Sequence, residues 1–291
     1  MSFKIETAKR ENLKLKLAVT APSGGGKTYS SLLLAAGLCN NDWAKICVLD
    51  TERSASLYSH LGPYKVVPFE KPHSSIKYME AIDYMVDQGM EVLVLDSITP
   101  EWDWCLEYHS GLSGNSFMNW GKVKPFHNKF MDHIIQAPVH VISTIRRKKE
   151  YAYDNSGGKA KVEKLGMKQQ QQEDAEYEFT TVWALNQNHL ALAEKDRTGL
   201  FMDLPEFKIT KDTGTQLLKW AAGGVTHKEA YTGTQIQKHR LLGLMTREGV
   251  AEETLMKEIS KKMQGQNFDD ITMGTCIKTV LAQVPAAGKN L

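Results

Sequence analysis

The sequence predicts an α/β fold: a mostly parallel, helix-covered sheet with an antiparallel extension, followed by a small C-terminal helical domain. Three observations predict it. Apolar runs rich in β-branched residues recur along the chain, several of them unbroken, as strands covered on both faces should be. Helical patterns alternate with those runs, which is the order that builds parallel sheets. A glycine-rich turn, Ala21-Pro22-Ser23-Gly24-Gly25-Gly26-Lys27-Thr28, joins the first run to the first helical pattern.

The elements follow in order. Residues 13–20 alternate apolar and polar and read as the first strand, and residues 28–38 read as the first helix. Strands are expected at 46–50, 64–68 and 92–96, with a helix over 74–88 that opens on Ser74-Ser75 as an N-cap and closes at Gly89. A helix over 123–136 and a strand over 139–145 complete the parallel layer. Residues 146–172 are basic and glycine-containing and read as a long loop, a length that is functional when it occurs in a compact domain. Strands at 180–185 and 189–194 flank Asn186-Gln187-Asn188, which reads as a hairpin tip and makes the antiparallel extension. After Gly223-Gly224 the pattern changes to three short helices, about 233–248, 251–263 and 269–284. The last carries Met273, Ile277, Val280, Leu281 and Val284 on one face. The expected domains are a core over 1–222 and a helical domain over 223–291.

Composition narrows the class of function. The 291 residues are 42% hydrophobic and 24% charged, an ordinary globular balance. Thirty-six Lys and Arg against 34 Asp and Glu give a net charge of +2, so nucleic-acid affinity has to come from a local patch. Cys39, Cys47, Cys105 and Cys276 show no C-x-x-C spacing, which predicts reduced thiols, no disulfide and no zinc site. The N-terminus lacks a basic stretch followed by an apolar one, and no 18-residue apolar window exists. A soluble, cytoplasmic protein with no membrane partner is expected.

The glycine-rich turn carries the chemistry. Strand, glycine loop and helix in this order form a P-loop, G-x-x-x-x-G-K-[ST], with Ala21 in place of the first glycine. Glycines let successive backbone N–H groups converge on phosphate oxygens, and the helix N-terminus adds donors and a favourable dipole. ATP is the expected ligand, held by residues 21–28 and Tyr29. Lys27 reaches toward the β- and γ-phosphates and the Thr28 hydroxyl ligates Mg²⁺. The run Val92-Leu-Val-Leu-Asp96 has the form of a Walker B strand, which makes Asp96 the second magnesium ligand. Asp50-Thr51-Glu52 places two acids at the carboxyl end of a strand, where open α/β sheets build their sites. Glu52 there orients the attacking water and Asp50 braces the loop, unless the segment is a surface turn.

The succession of the P-loop, Asp50-Thr51-Glu52, Asp96-Ser97, Val141-Ile-Ser-Thr-Ile-Arg-Arg147 with its Gly/Lys segment, and Glu194-Lys-Asp-Arg197 resembles the RecA-type recombinase core over about 12–220. It is particularly similar to the short RecA-like ATPases of bacteriophages that act in single-strand annealing and recombination. The resemblance implies a RecA-like P-loop core, with Glu52 as catalytic glutamate and Asp96 as Walker B aspartate. It implies that Lys195 and Arg197 reach across a subunit interface to a neighbour's γ-phosphate, and that Thr144 occupies a sensor position where the family carries an amide. The basic segment then matches a DNA-binding loop, with Arg146, Arg147, Lys148, Lys149, Lys159, Lys161, Lys164 and Lys168 on phosphates and Tyr151 and Tyr153 against bases. A first DNA loop would fall at 110–124, around Trp120 and Lys122, although Trp120 equally suits a core. Single-stranded DNA, further copies of the chain in a ring or filament, and a single-strand-binding or other recombination protein are the implied partners, in a bacterial host's cytoplasm. Two alternatives stay open from the residues: a nucleotide-gated scaffold with negligible hydrolysis, and a P-loop kinase whose basic segment is a lid.

Overall fold

The computed structural model describes residue 10 and residues 12–154 and 161–223, with the side chains of 149–154, 161–169, 173 and 174 left out. The expected helical domain falls on 223–291 and, Gly223 apart, lies outside the described residues.

The chain runs β1 (Lys16–Ala21), α1 (Lys27–Leu38), β2 (Ile46–Asp50), β3 (Lys65–Pro68), α2 (Ser75–Asp87), β4 (Val92–Asp96), α3 (Thr99–Ser110), α4 (Ser116–Gln136), β5 (His140–Asp154), β6 (Lys161–Gln169), β7 (Thr181–Leu185), β8 (Ala191–Asp196) and α5 (Lys211–Ala221). The sheet order is β3-β2-β4-β5-β1-β7-β8, with β6 paired to β5 beyond the main path. Every pairing from β3 to β7 is parallel, and β7–β8 and β5–β6 are antiparallel. The α/β class and the antiparallel extension are therefore as the sequence predicts.

Burial explains the unbroken apolar runs. Residues of β2 and β4 are all buried, so both faces of those strands need apolar side chains. On one face Leu93, Leu95, Val141 and Ala18 pack with Tyr78 and Ile82 of α2 and Phe130 and Ile134 of α4. The alternate residues of the strands point to the other face, where α1 lies against β1, β4 and β5 and packs on α5. Gly37 and Gly214 make that helix pair close: a Cβ on Gly37 would meet the Lys211 carbonyl at 2.0 Å, and one on Gly214 the Leu34 carbonyl at 2.2 Å. At the amino end of β1, Lys16 is 4% exposed and its ammonium donates to the carbonyls of Ala137 and Val139, where α4 ends. Burial holds its pKa down to about 8.

Three helices differ from the sequence reading. The segment after Asp96 is helical as α3, started by Pro100 in the first turn and by Glu101 near the positive end of the helix dipole. α4 begins at Ser116 and not 123, capped by the Asn115 side chain, which accepts from Met118 N. Gly121 and Pro125 inside it carry no helical signal in the sequence, and the expected first DNA loop at 110–124 is thus mostly helix. α5 was not anticipated, although Thr210 and Thr213 form its capping box.

The largest correction concerns 146–172. β5 does not end at 145 but continues to Asp154 and pairs with β6, so the expected loop is a long antiparallel hairpin. Lys159 lies outside the described residues, and Lys149, Lys161, Lys164, Lys168, Tyr151 and Tyr153 are placed by backbone alone.

Candidate nucleotide site

The P-loop leaves β1 at Ala21 and enters α1 at Lys27. Gly24 and Gly26 have φ of +76° and +81°, conformations that side chains disfavour, and a Cβ on Gly25 would lie 2.7 Å from that of Ala21. Ala21 is wholly buried, so a small side chain at the departure from the usual first glycine is accommodated against Gly25. α1 has no side-chain cap and no acidic residue in its first turn. Its first N–H groups therefore have no intrahelical partner and no competing anion, which is the donor set a phosphate needs.

Thr28 and Asp96 meet beneath this loop. The Thr28 hydroxyl donates to Asp96 Oδ2 at 2.6 Å, and the Thr144 hydroxyl, on the neighbouring strand β5, donates to Oδ1 at 2.5 Å. Asp96 is 0% exposed; burial raises its pKa and the two hydroxyls oppose that. The peptide between Asp96 and Ser97 is cis. A buried carboxylate beside a hydroxyl, next to a phosphate cradle, fits a magnesium ion bound with nucleotide, through Thr28 and Asp96. Lys27 rests near the Ala21 carbonyl, and burial lowers its pKa against the raising effect of Glu52 and Asp96.

Asp50 is buried at the end of β2 and accepts from the backbone N–H groups of Glu52, Ser54 and Ala55. Those three bonds shape the turn that presents Glu52. Thr51 ties the turn to the end of β4, donating to the Asp96 carbonyl and accepting from Ser97 N. Glu52 Oε1 accepts from Arg146 Nε at 2.9 Å. Arg146 and Arg147, read from sequence as DNA contacts, are thus already paired within the chain: Arg147 donates to Glu194 on β8 at 2.8 Å.

Lys195 donates to the carbonyls of Glu176 and Tyr177, and Arg197 to that of Tyr177. Both side chains are anchored on the 173–178 segment beside β8. Tyr29, 41% exposed just past the P-loop, meets Tyr58 edge to face at 5.9 Å. His189, at the β7–β8 tip, stands against the P-loop, its Nδ1 2.8 Å from where a Gly26 Cβ would sit. The sequence reading missed Thr51, Tyr58 and His189. Thr51 was legible inside the acidic motif, whereas His189 lies 163 positions from Gly26 and only the sheet order brings it there.

Among the described residues, Glu101, Cys105 and His127 are the one group of metal-type ligands. Glu101 accepts from Ser75, Cys105 and His127, with the His127 contact at 2.8 Å. Every carboxylate oxygen is satisfied by a protein donor at zero exposure, so the group is a closed polar network tying α2, α3 and α4 together behind the site. Trp102 stacks on Trp120 and meets His127, and Trp104 packs on Tyr108 and Phe126, so both tryptophans are packing residues.

Fold and site together define a P-loop nucleotide-binding protein. A family model described as an AAA domain matches residues 13–210, and the chain belongs to that family of P-loop ATPases. No curated protein matches it. Among solved structures, a KaiC-like protein from the hyperthermophilic archaeon Pyrococcus horikoshii OT3 is similar at 16% identity, with a TM-score of 0.37, covering 63% of this chain and 79% of that one. Among the described residues no helix is long and apolar enough to cross a membrane.

Proposed function

We propose that this chain is a magnesium-dependent ATP hydrolase that binds single-stranded DNA, assembles with further copies of itself through an interface containing the nucleotide, and promotes annealing or strand pairing in recombination. In this reading the P-loop N–H groups and Lys27 hold the phosphates, Thr28 and Asp96 hold Mg²⁺, and Glu52 orients the attacking water. The metal, when bound, neutralises charge on the phosphoryl oxygens. Tyr29 and Tyr58 offer an aromatic edge for the base. Lys195 and Arg197 serve a neighbour's γ-phosphate.

One observation carries the reading. Arg146 is bonded to Glu52 and begins the basic arm of the β5–β6 hairpin, so the hydrolytic carboxylate and the candidate DNA element share a residue. Along that hairpin Lys148 sits directly opposite Lys168. Like charges at one cross-strand position are destabilising, and a polyanion relieves them. The experiment is the ATP turnover rate with and without single-stranded DNA, read alongside particle size, with Lys27→Ala as the blank. Turnover that rises with DNA and vanishes in Lys27→Ala is expected. DNA-independent turnover and no retention of labelled single strands would remove DNA from the reading.

A scaffold with negligible hydrolysis is the second reading, favoured by the same ion pair, which occupies a Glu52 oxygen. Glu52→Gln separates the two: hydrolysis predicts a fall of about 100-fold or more in turnover with nucleotide binding kept. The scaffold predicts no change from a background rate.

A further inference from the structure

We infer that His189 is a nucleotide-binding residue acting in the same subunit as the P-loop, its imidazole contacting the phosphate and ribose side of a nucleoside triphosphate from the β7–β8 edge. The inference rests on the P-loop reading and adds a ligand that no motif announces. Its first support is position. The ring's Nδ1 is 2.8 Å, and its Cγ 3.5 Å, from the point a Gly26 Cβ would occupy, so the ring lies directly on the last glycine of the phosphate cradle. Gly26 is glycine for two reasons, its φ of +81° and the ring that fills the space of a side chain.

The second support is the effort the backbone makes to hold the ring there. His189 has φ of +61°, a left-handed conformation uncommon outside glycine. The turn that imposes it is braced by Asn186, whose Oδ1 accepts from the N–H groups of Asn188 and Leu190, while Asn186 N and His189 N close the backbone. Parallel pairing of β7 with β1 carries this tip to the P-loop end of the sheet.

The third support is chemical. Neither ring nitrogen has a hydrogen-bond partner among the described residues, and the side chain is exposed. An imidazole with free nitrogens beside backbone N–H groups that converge on an anion is placed to donate to a phosphate oxygen or a ribose hydroxyl.

The test is fluorescent-ATP affinity measured on the full chain for wild type, Lys27→Ala, His189→Gly and His189→Gln, with the melting temperature of each free protein. Glycine keeps the left-handed turn and deletes the ring, and glutamine restores an N–H donor at similar reach. His189→Gly should weaken binding about five- to tenfold, as loss of one hydrogen bond does, with an unchanged melting temperature, and His189→Gln should recover most of it. Wild-type affinity in His189→Gly, or an equal loss in both variants that tracks a fall in melting temperature, overturns the inference. The P-loop reading fails separately, by unaltered affinity in Lys27→Ala.

Discussion

Arg146 decides what Glu52 is free to do. The pair is 2.9 Å long, with the arginine side chain 40% and the glutamate 29% exposed, so it contributes about 1 kcal/mol at most. That is weak enough for a phosphate diester to compete for the guanidinium. Arg146→Ala should therefore raise DNA-independent ATP turnover several-fold and shrink the further rise caused by single strands. A drop in basal turnover would instead place Arg146 among the residues that hold nucleotide. Thr144 belongs to the same scale. The resemblance implies a sensor role there, and the structure shows the Thr144 hydroxyl donating to Asp96, so it orients the carboxylate proposed to hold magnesium.

At the scale of elements, two segments behave differently from their local signals. The 146–172 segment looks like a loop because lysine, glycine and glutamine have little strand preference. It forms β5–β6 because the first half simply extends a buried core strand, and the second half then finds a ready ladder to pair with. The α1–α5 pair has the opposite character: its closeness rests on two glycines whose helix propensity is poor. Gly37→Ala gains about 1 kcal/mol in propensity. It also drives a methyl to 2.0 Å from the Lys211 carbonyl and 2.7 Å from Gly214 Cα, both backbone atoms that cannot swing away. Sterics should win, with a net loss of about 1–3 kcal/mol in urea denaturation. An unmoved midpoint would mean that α5 yields without cost.

For the whole molecule, a net charge of +2 leaves DNA affinity to a local surface. Under the proposed function residues 146–168 would supply that surface, with Arg146, Arg147, Lys148, Lys149, Lys159, Lys161, Lys164 and Lys168 against Glu150, Asp154 and Glu163. Assembly is the other whole-molecule question. Arg197 and Lys195 end on backbone carbonyls within the chain, and under the proposed function they would exchange those contacts for a neighbour's γ-phosphate. Mixing Arg197→Ala with Lys27→Ala should restore part of the ATP turnover, because one mixed interface then holds an intact P-loop and an intact arginine. No recovery at any ratio would count against a trans role.

By itself the sequence determined the α/β class, the strands 46–50 and 92–96 to the residue, the P-loop and the acids at the strand ends. These are legible because glycine, lysine and carboxylate chemistry is bound to short spacing, and because doubly covered strands must be apolar throughout. What only the tertiary structure decided is which distant groups meet: Arg146 on Glu52, Thr144 on Asp96, His189 on Gly26, Glu101 on His127. Each of those contacts joins residues on different elements, and the sheet order that brings them together is set by the packing of the whole core. A contact of that kind leaves no period or motif in the local sequence, so it becomes visible only once the chain has folded.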